Sequence, residues 1–97
     1  MPHENKVYFE KLESQIEDWR KRLDALAAKA EVMTADARHA YEKAIEERRA
    51  KLALAREKLD ALRQVGSDKW KEGRATLESF WKEAKAVFDT TPPPPAN

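Results

Sequence analysis

Neither glycine nor proline occurs between residues 3 and 65, and this uninterrupted stretch limits the fold more than any other feature. From Phe9 onward, apolar residues recur at alternating steps of three and four, which is the spacing of a heptad seam. The pattern predicts an all-α, coiled-coil-like protein. The main seam residues of the first half are Phe9, Leu12, Ile16, Trp19, Leu23, Leu26, Met33 and Tyr41.

The stretch around Thr34 leaves two architectures open. Carrying the seam from Met33 to Ile45 needs three consecutive steps of four, a stutter that a continuous helix tolerates. We favour one helix over about residues 4–65, because residues 33–37 lack the glycine or proline that helix–helix turns usually carry. The alternative is a turn near Thr34, which is an acceptable N-cap, and this turn would give a three-helix bundle.

A second helix is predicted after Gly66. This glycine suits the position just past a helix end, and Ser67 and Asp68 can cap a new helix, which gives a turn over residues 66–68. The new helix, over about residues 68–90, must stop before Pro92, because proline disfavours the helical conformation of the preceding residue. We expect one helical domain over residues 1–91 and a disordered, proline-rich tail over residues 92–97.

The last helix carries its apolar residues on one broad face, and this face predicts an antiparallel helical hairpin with the end of the long helix. The predicted register places Leu62 against Trp70 and Leu59 against Gly73. The residues predicted to pack in this hairpin are Ile45, Leu52, Leu59, Leu62, Trp70, Leu77, Phe80, Trp81, Val87 and Phe88.

Self-association follows from the long-helix interpretation. The hairpin covers only residues 45–65 of the long helix, so the seam from Phe9 to Tyr41 has no partner within the chain. Each large apolar side chain contributes roughly 1.5–3 kcal/mol when it is buried. We therefore expect a homo-oligomer, with a dimer favoured, and a further protein partner that these residues do not identify.

Charge and composition narrow the partners. The chain has 19 basic and 18 acidic residues and a net charge of +1, whereas nucleic-acid binding calls for a clear basic excess. We therefore expect no nucleic-acid partner. The N-terminus lacks the apolar core of a secretory signal, and no apolar stretch is long enough to span a bilayer, so the expected location is the cytoplasm.

No pattern of residues predicts catalysis. Neighbouring carboxylates such as Glu46 and Glu47 are interpreted as helix-surface residues that pair with basic side chains one turn away. Asp36, His39 and Glu42 share a helix face and could hold a metal ion, but we interpret them as a solvated face. The sequence therefore predicts neither an enzyme nor a bound cofactor or metal.

Several stretches of the chain resemble a group of small bacterial coiled-coil proteins, labelled as stress-response or apolipoprotein-like proteins. The resemblance covers roughly residues 4–89 and differs at residues 32–34 and in the proline tail. It implies no enzyme and no defined ligand, and it suggests a role linked to stress. The similar stretches are residues 8–16 with Trp19, residues 35–37 with residues 41–43, residues 58–62, the Gly66, Asp68 and Trp70 turn, and Trp81.

The functional prediction is a non-enzymatic, self-associating interaction or scaffold protein. The alternative is a peripheral lipid-binding protein, because Trp70, Phe80, Trp81 and Phe88 lie opposite several lysines on the last helix. A helix with aromatic residues on one face and basic residues on the other can lie in a membrane surface. The acidic residues of the same helix weaken its attraction to anionic lipid.

Overall fold

The computed structural model describes the backbone of residues 3–90 and the side chains of residues 5–90. All regular structure in this part of the chain is helical, as predicted. The tail predicted for residues 92–97 lies outside the described residues. The three helices are α1 (His3–Glu31), α2 (Ala35–Arg63) and α3 (Trp70–Asp89).

The continuous helix predicted for residues 4–65 is wrong, because the chain reverses between Glu31 and Ala35. Thr34 has an extended backbone, with φ −63° and ψ 162°, and its Oγ1 accepts a hydrogen bond from the backbone N–H of Ala37 at 3.3 Å. This hydrogen bond is that of a helix N-cap, and it satisfies one of the free N–H groups at the start of α2. The alternative prediction, a three-helix bundle with a turn near Thr34, is confirmed.

Arg38 completes the turn from the other side. Its guanidinium group donates hydrogen bonds to the carbonyls of Ala30 and Glu31, both at 3.3 Å, and of Met33 at 3.5 Å. The last carbonyls of an α-helix have no partner within the helix, and a C-terminal glycine often helps to satisfy them. Here the arginine supplies the donors, and no described residue has a positive φ.

We expect Thr34→Ala to lower the free energy of unfolding by about 1 kcal/mol, because the N-cap hydrogen bond to Ala37 is lost. Urea denaturation followed by circular dichroism measures this change. Thr34→Ser is the matched control, because it keeps the hydroxyl and should retain most of the stability. Equal destabilisation by alanine and serine would contradict the capping role.

The second turn is longer than predicted. α2 ends at Arg63, with Gln64 at its C-cap position, and α3 begins only at Trp70, with Lys69 at its N-cap position and no side-chain capping hydrogen bond. Inside the turn, the N–H of Lys69 donates to the carbonyl of Gly66 at 3.0 Å. The capping predicted for Ser67 and Asp68 is therefore not found.

The longer turn shifts the register of α2 against α3 by about one helical turn. A Cβ atom added to Gly73 would lie 2.8 Å from Cδ1 of Leu62, so Leu62 faces Gly73 and not Trp70 as predicted. Trp70 instead packs against Phe9 of α1, with ring centroids 5.5 Å apart. The register differs from the predicted one because the extra turn residues delay the start of α3.

The core runs along all three helices. α2 is antiparallel to both neighbours, so α1 and α3 are parallel and meet through aromatic side chains. Trp19 of α1 stacks on Phe88 at 5.0 Å with an interplanar angle of 2°, and it lies 5.0 Å from Trp81. The bundle measures 54 × 18 × 17 Å. None of the described helices is long and apolar enough to cross a membrane.

Candidate interaction surface

The third helix is shorter than the other two, and in the part of the chain that the structure describes this difference leaves one end of the bundle with two helices. α3 has 20 residues, whereas α1 and α2 have 29 each. At the end of α3, Asp89 pairs with Arg22 of α1 at 3.1 Å, and the Thr90 carbonyl accepts a hydrogen bond from the Arg48 guanidinium of α2. Beyond these contacts, α1 and α2 continue to the turn at Thr34 as a two-helix hairpin.

The surface that α3 would cover if it were longer is apolar and free of charge at its centre. Arg22 and Arg48 contact the end of α3. Leu26 lies one turn beyond Arg22 and Ala44 lies one turn before Arg48, so both lie where a longer α3 would pack. Leu26 and Ala44 are half-buried, while Val32 at the tip of the hairpin is 86% exposed. We use the term hairpin-end surface for Leu26, Val32, Met33, Ala40 and Ala44.

The hairpin-end surface has an aromatic residue beneath it and charged residues beside it. Tyr41 is buried beneath it, and the Lys29 ammonium lies 6.0 Å from the centroid of the Tyr41 ring. Lys29 belongs to the α1 edge, whereas Glu47 of α2 lies beside the end of α3.

Arg48 is a buried charge that binds the C-terminal end of α3. It is 6% exposed and donates hydrogen bonds to the carbonyls of Thr90 and, at 3.2 Å, Ala44. No carboxylate among the described residues pairs with it. A positive charge at this point is favourable, because the C-terminal end of a helix carries a partial negative charge. The sequence holds one signal for this role, an arginine inside an apolar seam.

The residues predicted as a self-association seam lie largely inside the bundle. The turn at Thr34 folds α1 back onto α2, so the seam does have a partner within the chain. Only two of the predicted residues, Leu26 and Met33, belong to the hairpin-end surface, and both are half-buried. The predicted seam residues that are buried are Phe9, Leu12, Ile16, Trp19, Leu23 and Tyr41.

The residues predicted to pack in the α2–α3 hairpin divide into two groups. Trp70, Phe80 and Val87 are only half-buried, and the ammonium groups of Lys51 and Lys58 lie 5.7 and 5.3 Å from the centroid of the Phe80 ring. The predicted hairpin residues that are buried are Ile45, Leu52, Leu59, Leu62, Leu77, Trp81 and Phe88.

The side chains considered for metal binding do not form a cluster in the described part of the chain. His39 is exposed, as are Asp36 and Glu42. Among the described residues, no group of three or more His, Cys, Asp or Glu side chains is placed to hold a metal ion.

Comparison with known proteins adds no relative. No family model, curated protein or solved structure matches the chain. The resemblance to small bacterial coiled-coil proteins stays a prediction, and so does the stress-related role that it suggests.

Proposed function

We propose that this chain is a non-enzymatic interaction domain that forms a dimer through the hairpin-end surface. The observation that carries the proposal is the early end of α3, which leaves Leu26, Met33 and Ala44 half-buried at an end where no third helix within residues 3–90 packs on α1 and α2. Helices bury their apolar faces against other elements, and a second hairpin is an available cover for such a face.

A two-fold arrangement suits this surface. In a two-fold dimer the same patch meets itself, so the hairpin ends of two molecules would pack as four helices. Small residues at Ala40 and Ala44 let the helices approach closely, while Leu26 and Met33 supply larger apolar side chains.

The test replaces apolar residues of the surface by charged ones. In Leu26→Glu with Ala40→Glu, two carboxylates would replace apolar or small side chains inside the dimer interface, and taking these charges out of water is unfavourable. We expect the wild-type chain to sediment at about twice the 11.2 kDa mass of one chain, and the variant to sediment as a monomer over the same concentration range.

The matched control is Leu54→Glu with Ala50→Glu. Both residues are exposed on α2, at positions between Arg48 and Leu62 where α3 already covers the inner face. This control adds the same charges and should keep the dimer mass. A surface variant that stays dimeric while remaining helical, or a wild-type chain that is a monomer at all concentrations, would refute the proposal.

Lipid contact through α3 is the second candidate, and it has weaker support. Leu77, Trp81 and Phe88 are buried in the core of the bundle, so α3 would have to leave α1 and α2 before its apolar face could enter a membrane surface. The half-buried Phe80 is covered by Lys51 and Lys58. We therefore base the proposal on contact between proteins.

A further inference from the structure

A groove of about 380 Å³ runs between α1 and α3, on a different side of the bundle from the turn at Thr34. Its floor contains Leu12 and Trp81, both of which are buried. The indole N–H of Trp81 donates a hydrogen bond to the side-chain carbonyl of Gln15, which joins the two helices beneath the groove. The volume and the apolar floor are of the kind found in sites for small ligands.

One end of the groove holds a buried hydroxyl without a partner. The Oη atom of Tyr8 is buried and makes no hydrogen bond. Nearly all buried polar groups in folded proteins are hydrogen-bonded, so an exception calls for an explanation. Burial raises the pKa of Tyr8 and the nearby Glu78 carboxylate raises it further, while Arg74 opposes both, and the net shift is upward. The phenol is protonated at neutral pH, as tyrosines ordinarily are, and can donate a hydrogen bond to an acceptor.

Arg74 covers this end of the groove. Its guanidinium lies 4.7 Å from the centroid of the Tyr8 ring, and its Nε is 3.0 Å from Oε1 of Glu78. Arg74 and Glu78 are both about half exposed, so their ion pair contributes little to stability and can open at small cost. Opening it would expose two donors side by side, the Tyr8 hydroxyl and the Arg74 guanidinium.

The rim of the groove is basic. Lys11 lines it from α1, and Lys82 and Lys85 line it from α3, while Glu78 is the one acidic side chain in its lining. Together with Arg74, the lining of the groove carries four positive charges and one negative charge. This distribution favours an anion and disfavours a cation.

We propose that this groove binds a small organic anion that carries a carboxylate on an unbranched apolar chain. The ligand carboxylate takes the place of Glu78 as the partner of Arg74 and accepts a hydrogen bond from the Tyr8 hydroxyl. The apolar chain lies over Leu12 and Trp81. The lining of α1 extends from Tyr8 to Gln15, about 10 Å at 1.5 Å per residue, which suits a chain of medium length.

This site is separate from the hairpin-end surface, so the two proposals can fail independently. The probe is octanoate, added to the full-length chain, with 1-octanol and octylammonium as neutral and cationic analogues of equal length. Two-dimensional NMR of the nitrogen-15-labelled chain follows the indole N–H of Trp81, with the indoles of Trp19 and Trp70 as internal references. We expect octanoate to shift the Trp81 resonance with a stoichiometry of one, and both analogues to bind at least tenfold more weakly.

Three variants test the roles of the head-group residues. Tyr8→Phe removes only an unpaired hydroxyl, so folding should not suffer, yet octanoate affinity should fall about tenfold. Arg74→Gln should weaken binding at least as much. Glu78→Gln should strengthen it severalfold, because it removes the competing carboxylate. Arg20→Gln is the control, since Arg20 forms a similar exposed pair with Glu17 outside the groove and should bind as wild type does.

The proposal is overturned by any of three results. The first is an octanoate titration that leaves the Trp81 indole unmoved. The second is equal binding of octanoate and octylammonium, which would mean that the basic rim selects nothing. The third is wild-type affinity in both Tyr8→Phe and Arg74→Gln, which would mean that neither residue binds the carboxylate of octanoate.

Discussion

Replacing Trp19 by alanine should lower the free energy of unfolding by about 3–5 kcal/mol, which is the range for removing a large aromatic side chain from a core. Trp19 is 4% exposed, stacks on Phe88 and lies 5.0 Å from Trp81. It therefore contacts two aromatic residues of α3, and its loss would open a cavity between two helices that are not adjacent in the sequence. Stability of this order is a large part of what a small domain possesses.

Urea denaturation followed by circular dichroism measures the effect of Trp19→Ala. Val7→Ala is the control, because Val7 is 49% exposed on α1, away from the hairpin-end surface, and its truncation should change stability by less than about 0.5 kcal/mol. Trp19→Phe should fall between the two, since it keeps an aromatic ring against Phe88. A cost below about 1 kcal/mol for Trp19→Ala would show that α1 does not pack on α3 in solution.

The second large effect is expected for Arg48→Met, which should lower the free energy of unfolding by about 1–3 kcal/mol. Methionine fills similar space but leaves the Thr90 carbonyl at the end of α3 without its donor. The substitution also removes a buried charge. Because burying a charge lowers the free energy of unfolding, part of the lost stability is regained. The net sign is destabilising, since the guanidinium also interacts with the negative end of α3.

Arg49→Met is the control for Arg48→Met, because Arg49 is the next residue on the same helix and is exposed. It removes the same charge from the chain and should leave stability within about 0.5 kcal/mol. The two variants are compared by thermal and urea denaturation under identical buffer conditions. Equal effects of the two substitutions would mean that net charge matters and that the cap on α3 does not.

Hydrophobic spacing predicted the helical class and many of the buried residues, because it is a local property of the sequence. Phe9, Ile16 and Leu59 recur at helical intervals, and such residues are buried whichever helix covers them. The same spacing says nothing about which helix that is. The seam of α1 is therefore predicted to pack against a second molecule, although α2 and α3 of the same chain cover it.

The turn at Thr34 is hard to predict from the sequence, because its stabilising contacts are made by side chains. Arg38 reaches back to three carbonyls of the preceding turn, and these bonds form only after the chain has reversed direction. Glycine and proline signal a turn through backbone conformation, whereas an arginine in a helical sequence gives no such signal. The predicted register of α3 against α2 is wrong for a similar reason, since the register depends on the length of the turn between the two helices.

The groove between α1 and α3 could not be predicted from the long-helix interpretation. Tyr8 lies beside the seam residue Phe9, and Arg74 lies one turn before Glu78, so both look like ordinary surface positions. Their meeting requires α1 and α3 to run in parallel, which follows only once the chain turns at Thr34. The unpaired Tyr8 hydroxyl is likewise a property of the folded chain.

The early end of α3 also sets how evenly the bundle resists local opening. Amide groups near Trp19 are held by three packed helices, whereas those near Thr34 are held by a two-helix hairpin rich in alanine. Segments with fewer apolar contacts open at lower free energy than the whole domain does. The free energy of local opening is therefore lower near Thr34 than near Trp19, and fraying starts at the end where a second molecule is proposed to bind. Dimerisation would then stabilise the part of the fold that a single chain holds least firmly.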